Sequence, residues 1–178
     1  MPGRPFIEGD SVDLCAVAEE DLSFFLDNVN DPAVWRTIGS RNPYTEQQEQ
    51  DWYEEHISDD NGHVHFTVAD DGDPVGTVSV HGVDDVNGAA EIGIWIGSGH
   101  WGNGYGTEAA RLATDYAFRD HRRHRVCARV FEGNEASARI WEKLGYELEG
   151  THRDEVFIEG EYRDVRYYSV LEDEWENA

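Results

Sequence analysis

Positive charge is the scarcest feature of this sequence. Lysine and arginine together number 14 against 38 aspartates and glutamates, which gives a formal net charge of −24, and Lys143 is the only lysine. A surface of this sign repels the phosphate backbone of nucleic acids, so we expect no nucleic-acid partner. Self-repulsion at this charge destabilises a compact chain unless salt screens it. The composition therefore predicts a halophilic protein, drawn from an acidic proteome that functions at high salt.

Cysteine and long apolar runs are also scarce. The two cysteines, Cys15 and Cys127, lie in apolar, strand-like segments, and their number and spacing fit neither a disulfide framework nor a metal site. We interpret both as small buried hydrophobic residues and expect no metal. No charged start precedes an apolar run, and no run is long enough to cross a bilayer. We therefore expect a cytoplasmic protein without a membrane partner, and the 178 residues predict a single domain spanning 1–178.

Periodic patterns are strong, and the 39% hydrophobic and 12% aromatic content is enough for a folded core. Alternation predicts strands at these positions: 12–17, 63–69, 75–83, 91–96, 126–131, 146–158 and 162–171. Turn signals at 59–62 and 70–74 bound the second strand and join it to the third as a hairpin. A helix crosses between the strands at 91–96 and 126–131, so these two should be parallel in a sheet that is antiparallel at first. The predicted fold class is a mixed α/β sheet flanked by helices, with the ligand where the two parallel strands part.

Helix signals lie before the second strand. Apolar residues within 22–29 form one stripe, and Asp31 and Pro32 can cap and open the next helix. Thr45 begins a third helix through a capping box. The segment 35–44 between these helices is polar with isolated aromatic residues, and we predict a connection there.

The most informative stretch is the strand at 91–96, a loop containing Gly102, Gly104 and Gly106, and a helix that follows directly. This order presents backbone N–H groups and the positive end of the helix dipole to one point, which suits a phosphate. The loop is not a P-loop, because no lysine follows Gly106. Nor is it a dinucleotide fingerprint, because its third glycine arrives one residue early.

Three blocks, in order along the chain, resemble one family. The first, HWGNGYGTEA at 100–109, is similar to the W-G-x-G-Y-(A/G)-T-E-A form of the acyl-CoA loop in the GCN5-related N-acetyltransferase (GNAT) superfamily. The second block comprises Asn134, Ser137, Lys143, Leu144, Gly145, Tyr146, Glu149 and Gly150. The third is GEYRDV at 160–165. Together they resemble the branch of ribosomal-protein N-terminal acetyltransferases of the RimJ/RimL type.

The resemblance implies the acyl-CoA N-acyltransferase (GNAT) fold, with a mixed central sheet splayed between its two central parallel strands. It also implies acetyl-CoA as co-substrate and direct transfer of an acetyl group to a primary amine in a ternary complex. The favoured acceptor is a protein N-terminal α-amine of the ribosomal-protein type, and polyamines, amino acids and aminoglycosides are small-molecule alternatives. A CoA-binding interaction module without catalysis is the alternative outside enzymes. Exposed strand edges would also suit a homodimer.

The family's cofactor contacts carry over onto matching positions. The loop expected to hold the pyrophosphate through main-chain N–H groups comprises Gly102, Asn103, Gly104, Tyr105, Gly106 and Thr107. Backbone N–H groups of Ile94, Trp95 and Ile96 are the expected oxyanion donors and pantetheine partners, because a bulge or splay would leave them unpaired. Asn134 is expected beside the pantetheine arm as well as at a helix cap, and Ser137 is expected to contact CoA.

Glu91, at the start of the central strand, is the predicted catalytic base, and an apolar wall beside it should raise its pKa toward neutrality. The alternatives are a water molecule or His81 on the preceding strand. Ser137 is the predicted proton donor to the departing thiolate, with water as the alternative. Many members of the superfamily place a tyrosine acid one turn later, where this chain has Trp141; because indole cannot act as that acid, we interpret Trp141 as a packing residue.

Three further expectations concern placement. The early helices and their connection usually flank the acceptor pocket in this family, so selectivity should lie there. The block at 161–164 should shape a hairpin near the acceptor mouth. In the helix that Asn134 caps, Ala136, Ile140 and Leu144 should face inward.

Overall fold

The computed structural model describes residues 3–57 and 63–175, so the turn expected at 59–62 lies outside the described residues. Its strands are β1 (Pro5–Ile7), β2 (Asp13–Ala16), β3 (Val64–Asp70), β4 (Asp73–Asp84), β5 (Ala89–Ile96), β6 (Arg125–Phe131), β7 (Glu147–Ile158) and β8 (Glu161–Leu171). Its helices are α1 (Leu22–Val29), α2 (Pro32–Ile38), α3 (Glu46–His56), α4 (Tyr105–Arg119), α5 (Glu135–Lys143) and α6 (Glu172–Trp175). None of the helices within these described ranges is long and apolar enough to cross a bilayer.

The eight strands form one mixed sheet in the order β1-β2-β3-β4-β5-β6-β8-β7. The pair β5 and β6 is parallel, and the other neighbouring pairs are antiparallel. Helix α4 supplies the crossover between the parallel strands, as a parallel pair requires. Two hairpins, β3–β4 and β7–β8, lie on either side of this centre. The predicted mixed α/β sheet with a central parallel pair is confirmed.

Side-chain caps begin the two helices that precede β3. The carboxylate of Asp31 accepts a hydrogen bond from the backbone N–H of Ala33 at 2.9 Å and starts α2. Thr45 and Gln48 form the predicted capping box at the start of α3. Such caps satisfy N–H groups that the helix itself leaves free, each worth about 1 kcal/mol. Because α2 continues to Ile38, the first part of the segment expected as a connection is helical instead.

Alternation of side chains divides the sheet into two faces. On one face, buried residues such as Val80 and Ile92 join the main core, which α4 and α5 cover. The intervening positions of β4 and β5 line a cavity on the opposite face: Thr77, Ser79, His81, Glu91, Gly93 and Trp95. A second cluster covers part of this face, where Phe25 of α1 packs against Trp52 of α3 and against Trp95. The polar residues of the two strands therefore lie under α1 and α3.

The parallel strands separate soon after they pair. The register of β5 with β6 covers three residue pairs and ends at Glu91 opposite Cys127. Beyond this point β5 continues along β4 to Ile96, whereas β6 continues along β8 to Phe131. We call the resulting opening the fork. The expected splay is therefore present, and positions 94–96 lie on its open edge.

Helix α5 corrects one expectation. Ala136 is exposed, whereas Ala138 and Trp141 are each 1% exposed. The expectation that Ala136 faces inward was wrong, because the buried face of α5 is formed by the large indole of Trp141 and by Ala138, which lies one turn before it. Ile140 and Leu144 are partly buried against the same core. Trp141 is thus a packing residue, as interpreted from the sequence.

The two cysteines are free thiols. Cys15 is buried, and Cys127 is half-buried with its Sγ donating to the carbonyl oxygen of Ala90 at 3.4 Å. Burial raises the pKa of each thiol to about 11. Both therefore stay protonated near neutral pH, which disfavours a role as nucleophile.

Candidate active site

Two cavities meet at the fork. One, of about 370 Å³, lies between the sheet and α1 to α3, and we call it the α3 cavity. The other, of about 670 Å³, lies between the glycine loop and α5, and we call it the groove. Six residues line both: Thr37, Ile94, Trp95, Phe131, Asn134 and Ser137. A molecule in the groove can therefore meet a molecule in the α3 cavity at the fork, which is the arrangement that direct transfer requires.

The glycine loop forms one wall of the groove. Gly102 and Gly104 each have a φ of +85°, a left-handed conformation that other residues rarely adopt, and a Cβ added at either would meet nothing within 4 Å. Glycine is therefore required by the backbone, and the space above it is open to a ligand. Gly104 also caps α4, which begins at Tyr105. The N–H of Thr107 already donates to the carbonyl oxygen of Gly104 at 3.0 Å. The N–H groups that a helix start leaves without an acceptor and the positive end of the helix dipole suit an anion.

Five of the six predicted loop residues line the groove: Gly102, Gly104, Tyr105, Gly106 and Thr107. Asn103 belongs to the loop but does not line the groove, because its side-chain amide donates instead to the carbonyl oxygen of His100 at 3.1 Å. The loop itself is tied to the end of β5. Trp101 donates from Nε1 to the carbonyl oxygen of Ile96 at 2.7 Å. This bond sets the distance between the open edge of β5 and the glycine loop.

The open edge of β5 lies at the junction of the two cavities. Ile94, Trp95 and Ile96 all line the groove, and the first two also line the α3 cavity. Past Glu91, the described pairing of β5 is with β4 only. A strand edge of this kind can offer backbone N–H groups to a carbonyl oxygen that becomes negatively charged.

The first turn of α5 faces the same junction. The side-chain oxygen of Asn134 accepts a hydrogen bond from the backbone N–H of Ser137 at 3.1 Å, so Asn134 is the helix cap expected from the sequence. Trp141 donates from Nε1 to the hydroxyl oxygen of Ser137 at 3.3 Å. Because Ser137 accepts in that bond, its own hydroxyl proton is free to be donated elsewhere.

Glu91 lies on the α3-cavity face of β5, opposite His81 of β4. Its Oε1 accepts a hydrogen bond from Nε of Arg129 at 2.8 Å and lies 3.5 Å from Nε2 of His81. The other ring nitrogen of His81, Nδ1, lies 3.1 Å from Oγ of Ser79. We call this chain of four side chains, Ser79, His81, Glu91 and Arg129, the relay. Gly93 leaves room for it, since a Cβ there would lie 2.8 Å from Cε1 of His81.

The expected pKa of Glu91 was wrong in direction. Burial raises the pKa, but the hydrogen bonds from His81 and Arg129 and the charge of Arg129 lower it further, so it lies below the ordinary value of 4.5. The effect of burial is therefore outweighed by the hydrogen bond with His81 together with the cation of Arg129 from β6. At neutral pH Glu91 is a carboxylate and a weak base.

Glu49 of α3 also faces the α3 cavity, and sequence reasoning missed it. It is 7% exposed, and burial raises the pKa of its carboxyl. His65 of β3 lines the same cavity with a buried Nε2 that has no hydrogen-bond partner. Burial first, and then the neighbouring histidines, lower the pKa of His65 to about 4. Within residues 3–57 and 63–175, no three histidine, cysteine or acidic side chains are arranged to hold a metal ion.

The residues that sequence reasoning missed differ in how they could have been found. Ser79 follows from the alternation of β4, since Val78 and Val80 face the core and leave Ser79 on the other face. Arg129 follows from β6 in the same way. Glu49 carries no such signal, because it stands in a polar helix and is buried only by the packing of α3 on α1.

The turn between β7 and β8 lies at the groove. Glu159 and Arg163 both line the groove. Arg36 of α2 donates from Nε to Oε1 of Glu159 at 2.7 Å, and Arg163 lies 3.8 Å from the same carboxylate. Tyr162 points away and is 66% exposed. The end of the long β7–β8 hairpin thus contacts α2 through Glu159.

Comparison with known proteins agrees with this geometry. The family model described as the acetyltransferase (GNAT) domain matches residues 12–147. The Bacillus subtilis protein named "Putative ribosomal N-acetyltransferase YdaF" is 37% identical over 137 residues, which are 77% of this chain and 74% of that protein. The spermidine N(1)-acetyltransferase of Escherichia coli K12 is 34% identical over 156 residues, which are 87% of this chain and 83% of that enzyme.

Among solved structures, the spermidine N-acetyltransferase from Vibrio cholerae in complex with CoA and spermine superposes with a TM-score of 0.88. It is 26% identical and the match covers 94% of this chain and 99% of that chain. The family match spans the fork, the glycine loop and α5, so it includes both walls of the groove. The chain therefore belongs to the GNAT family and is an N-acetyltransferase that uses acetyl-CoA as its co-substrate.

Proposed function

We propose that the acceptor of this N-acetyltransferase is a small amine with a second positive charge, a polyamine of the spermidine type. The observation that carries the proposal is the carboxylate of Glu49. It is buried in the wall of the α3 cavity, and no described residue forms an ion pair or hydrogen bond with it. A buried carboxylate without a cation is costly, and its raised pKa reflects that cost. A ligand ammonium beside Glu49 would remove the cost and gain binding free energy.

The surroundings of Glu49 suit an ammonium group. Aromatic rings of Phe25, Tyr44 and Trp52 line the same cavity, and aromatic faces attract cations. The pKa of His65, at about 4, leaves its ring neutral at physiological pH. Its unpartnered Nε2 can therefore accept a hydrogen bond from an ammonium.

Two further observations favour a polycation. The net charge of −24 raises the local concentration of cationic ligands, an effect that high salt weakens. The relatives named as spermidine acetyltransferases match most of this chain. A polyamine would place its reacting nitrogen at the fork and a distal ammonium at Glu49.

The reaction needs a proton acceptor, an oxyanion site and a proton for the leaving thiolate. In our proposal the acceptor nitrogen, once deprotonated, attacks the thioester carbonyl carbon, and a C–N bond forms while the oxygen becomes negatively charged. Backbone N–H groups at 94–96 stabilise that oxygen. The C–S bond then breaks, the attacking nitrogen releases its second proton to water to leave the neutral amide, and the thiolate of CoA takes the hydroxyl proton of Ser137, which water later replaces.

Proton removal is assigned to the relay. With Arg129 keeping Glu91 ionised, Glu91 faces Nε2 of His81 and can stabilise a positively charged ring. The other nitrogen, Nδ1, is then the proton acceptor; it lies 3.1 Å from Oγ of Ser79, and both side chains line the α3 cavity. The proton leaves the ammonium through the Ser79 hydroxyl and reaches His81, so Glu91 acts as a partner of the base instead of as the base alone.

Substrate comparison with a single-charge variant tests the acceptor. Turnover of spermidine and of butylamine, which has one amine, is measured with the natural sequence and with Glu49→Gln. We expect the natural enzyme to prefer spermidine in kcat/KM, and Glu49→Gln to lose about tenfold or more on spermidine with little change on butylamine. Glu55→Gln, on an exposed position of α3, removes the same charge without touching the cavity and should behave as the natural enzyme.

Equal loss on both amines, or no loss on spermidine, would reject Glu49 as the distal site.

A second candidate acceptor is a protein N-terminus, as in the RimJ/RimL branch that the sequence resembles, and the 37% identity to YdaF favours it. That function predicts acetylation of peptide α-amines with a free N-terminus at rates that exceed those on spermidine, and no dependence on Glu49.

A further inference from the structure

The groove has more than its share of the few basic residues of this chain. Of the 14 lysines and arginines, four line it: Arg36, Arg139, Lys143 and Arg163. Three glutamates line it too, but each already accepts a hydrogen bond from another residue: Glu132, Glu135 and Glu159. In a protein with a net charge of −24, this wall is unusually favourable to an anion.

Two of the four cations have no acidic partner. Arg36 and Arg163 both contact the carboxylate of Glu159. Arg139 and Lys143 form no ion pair or hydrogen bond with any residue in the described parts of the chain, although acids outnumber bases among the residues around them. They are spaced by four along α5 and therefore lie one above the other on the face that lines the groove.

Their position along the groove follows from the course of α5. Ser137 lies at the junction of the two cavities, where the reacting end of the cofactor must be. Ile140 lies against the glycine loop, since a Cβ added at Gly106 would be 3.0 Å from its Cδ1. Lys143 is six residues beyond Ser137, or about 9 Å further along the helix. Arg139 and Lys143 therefore flank and follow the pyrophosphate position, toward the nucleotide end.

We propose that Arg139 and Lys143 bind the 3′-phosphate of CoA and make the enzyme select CoA over 3′-dephospho-CoA. The pyrophosphate has its own donors in the N–H groups of the glycine loop and the first turn of α4. The 3′-phosphate is the remaining anion of the cofactor and extends past that position. Two unpaired cations one helical turn apart can each donate charge-assisted hydrogen bonds to it.

Calorimetric titration separates the 3′-phosphate from the rest of the cofactor. The dissociation constants of CoA and of 3′-dephospho-CoA are measured at one fixed KCl concentration for the natural sequence and for the double variant Arg139→Gln/Lys143→Gln. The natural protein should bind CoA about tenfold more tightly or better, and the variant should bind the two alike. Binding of 3′-dephospho-CoA should be the same in both proteins.

The control is Arg122→Gln/Arg153→Gln, which removes the same charge from exposed positions that line neither cavity and should keep the natural selectivity. Equal affinity of the natural protein for the two cofactors would overturn the proposal. So would a variant that weakens both equally, since the two cations would then act on the pyrophosphate or through the general field. Because CoA binding needs no acceptor, this result is independent of whether polyamines are the substrates.

Discussion

Nε of Arg129 donates to Oε1 of Glu91 across 2.8 Å at the point where β5 and β6 separate. Backbone pairing between the two strands ends at Glu91, and this ion pair joins side chains just beyond it. Burial alone would raise the pKa of this carboxyl, whereas the hydrogen bond with His81 and the hydrogen bond and charge of Arg129 together lower it. One contact therefore stabilises the closed end of the fork and supplies the negative charge that faces His81.

Replacing Arg129 with glutamine should move the acidic limb of the pH profile of kcat upward. The hydrogen bond and charge of Arg129 are then lost, so the pKa of Glu91 rises and Glu91 is protonated at a higher pH than in the natural sequence. We expect kcat to fall most at the acidic end of the profile, since a protonated Glu91 no longer stabilises a charged His81. The measurement is steady-state turnover as a function of pH, and an acidic limb that stays in place would contradict this role of Arg129.

The same variant has a stability signature. In the natural protein the pKa of Glu91 lies below the ordinary value of 4.5, so its ionised pair stabilises the fold above about pH 4.5. That contribution is lost as the pH falls through the lowered pKa. Denaturant unfolding at a series of acidic pH values should therefore show a smaller acid-induced loss in Arg129→Gln than in the natural sequence.

Gly93→Ala should reduce kcat while the protein stays folded. The new Cβ would lie 2.8 Å from Cε1 of His81 and 3.0 Å from Oγ of Ser79. Both atoms are at the ends of side chains, so the ring shifts and the backbone does not, and the distances within the relay change. Both kcat and the KM for acetyl-CoA are measured. We expect kcat to fall several-fold and the KM to stay unchanged.

A glycine on β7 provides the matched control for that variant. Gly150→Ala adds the same methyl group to a strand position with nothing within 4 Å of the new Cβ, and its turnover should match the natural sequence. If Gly93→Ala also keeps full activity, the relay is not the route of the proton.

Ser137→Ala should lower kcat with little change in the KM for acetyl-CoA. The hydroxyl is the proposed proton donor to the thiolate, and loss of such a donor costs about 100-fold or more when no substitute is present. The fold should be retained, because alanine is a better helix former than serine. A thermal melt verifies the fold, and full activity in the variant would assign the proton to water.

Asn134 has two separable roles. Asn134→Ala should destabilise the protein by about 1 kcal/mol through loss of the α5 cap, and Asn134→Ser should restore that stability. If the amide also contacts the pantetheine arm, the KM for acetyl-CoA stays several-fold higher in the serine variant. Unfolding free energies and KM values of the natural protein and the two variants test this. A serine variant with the natural KM would show that Asn134 acts only as a helix cap.

We propose that the charge of −24 makes stability depend on salt. Self-repulsion falls as the Debye length shrinks, from about 10 Å at 0.1 M to about 3 Å at 1 M salt. Thermal unfolding in KCl should therefore show Tm rising steeply up to about 1 M. Sucrose at matched osmolality stabilises without screening and should raise Tm much less. A flat Tm in KCl would reject the halophilic interpretation.

The local patterns of the chain predict most of the fold. Alternation of side chains identifies seven of the eight strands, and the capping residues Asp31, Thr45 and Asn134 mark the helix starts that the structure has. The glycine loop is also recognisable, since the left-handed backbone at Gly102 and Gly104 requires glycine and is therefore visible in the sequence. These signals are local, so no tertiary contact is needed to interpret them.

Contacts between distant residues explain what the sequence could not predict. The pKa of Glu91 depends on Arg129, which lies 38 positions away. Burial of Glu49 depends on how α3 packs, and the helix itself has no strong apolar stripe to indicate it. The β7–β8 turn lies beside the groove because Arg36, 123 positions before Glu159, contacts it. The sequence therefore indicated the residues that line the groove better than those that line the α3 cavity.

The groove and the α3 cavity share six lining residues, and this continuity suits a single inhibitor that spans both spaces. Since the two spaces join at the fork, one molecule that links the CoA sulfur through a short acyl spacer to the polyamine proposed as acceptor can occupy both without crossing a wall. Once its nucleotide end is bound, the amine end binds at an effective concentration in about the millimolar range. Such a bisubstrate compound should bind far more tightly than either half, and its chain length would report the distance from the fork to Glu49.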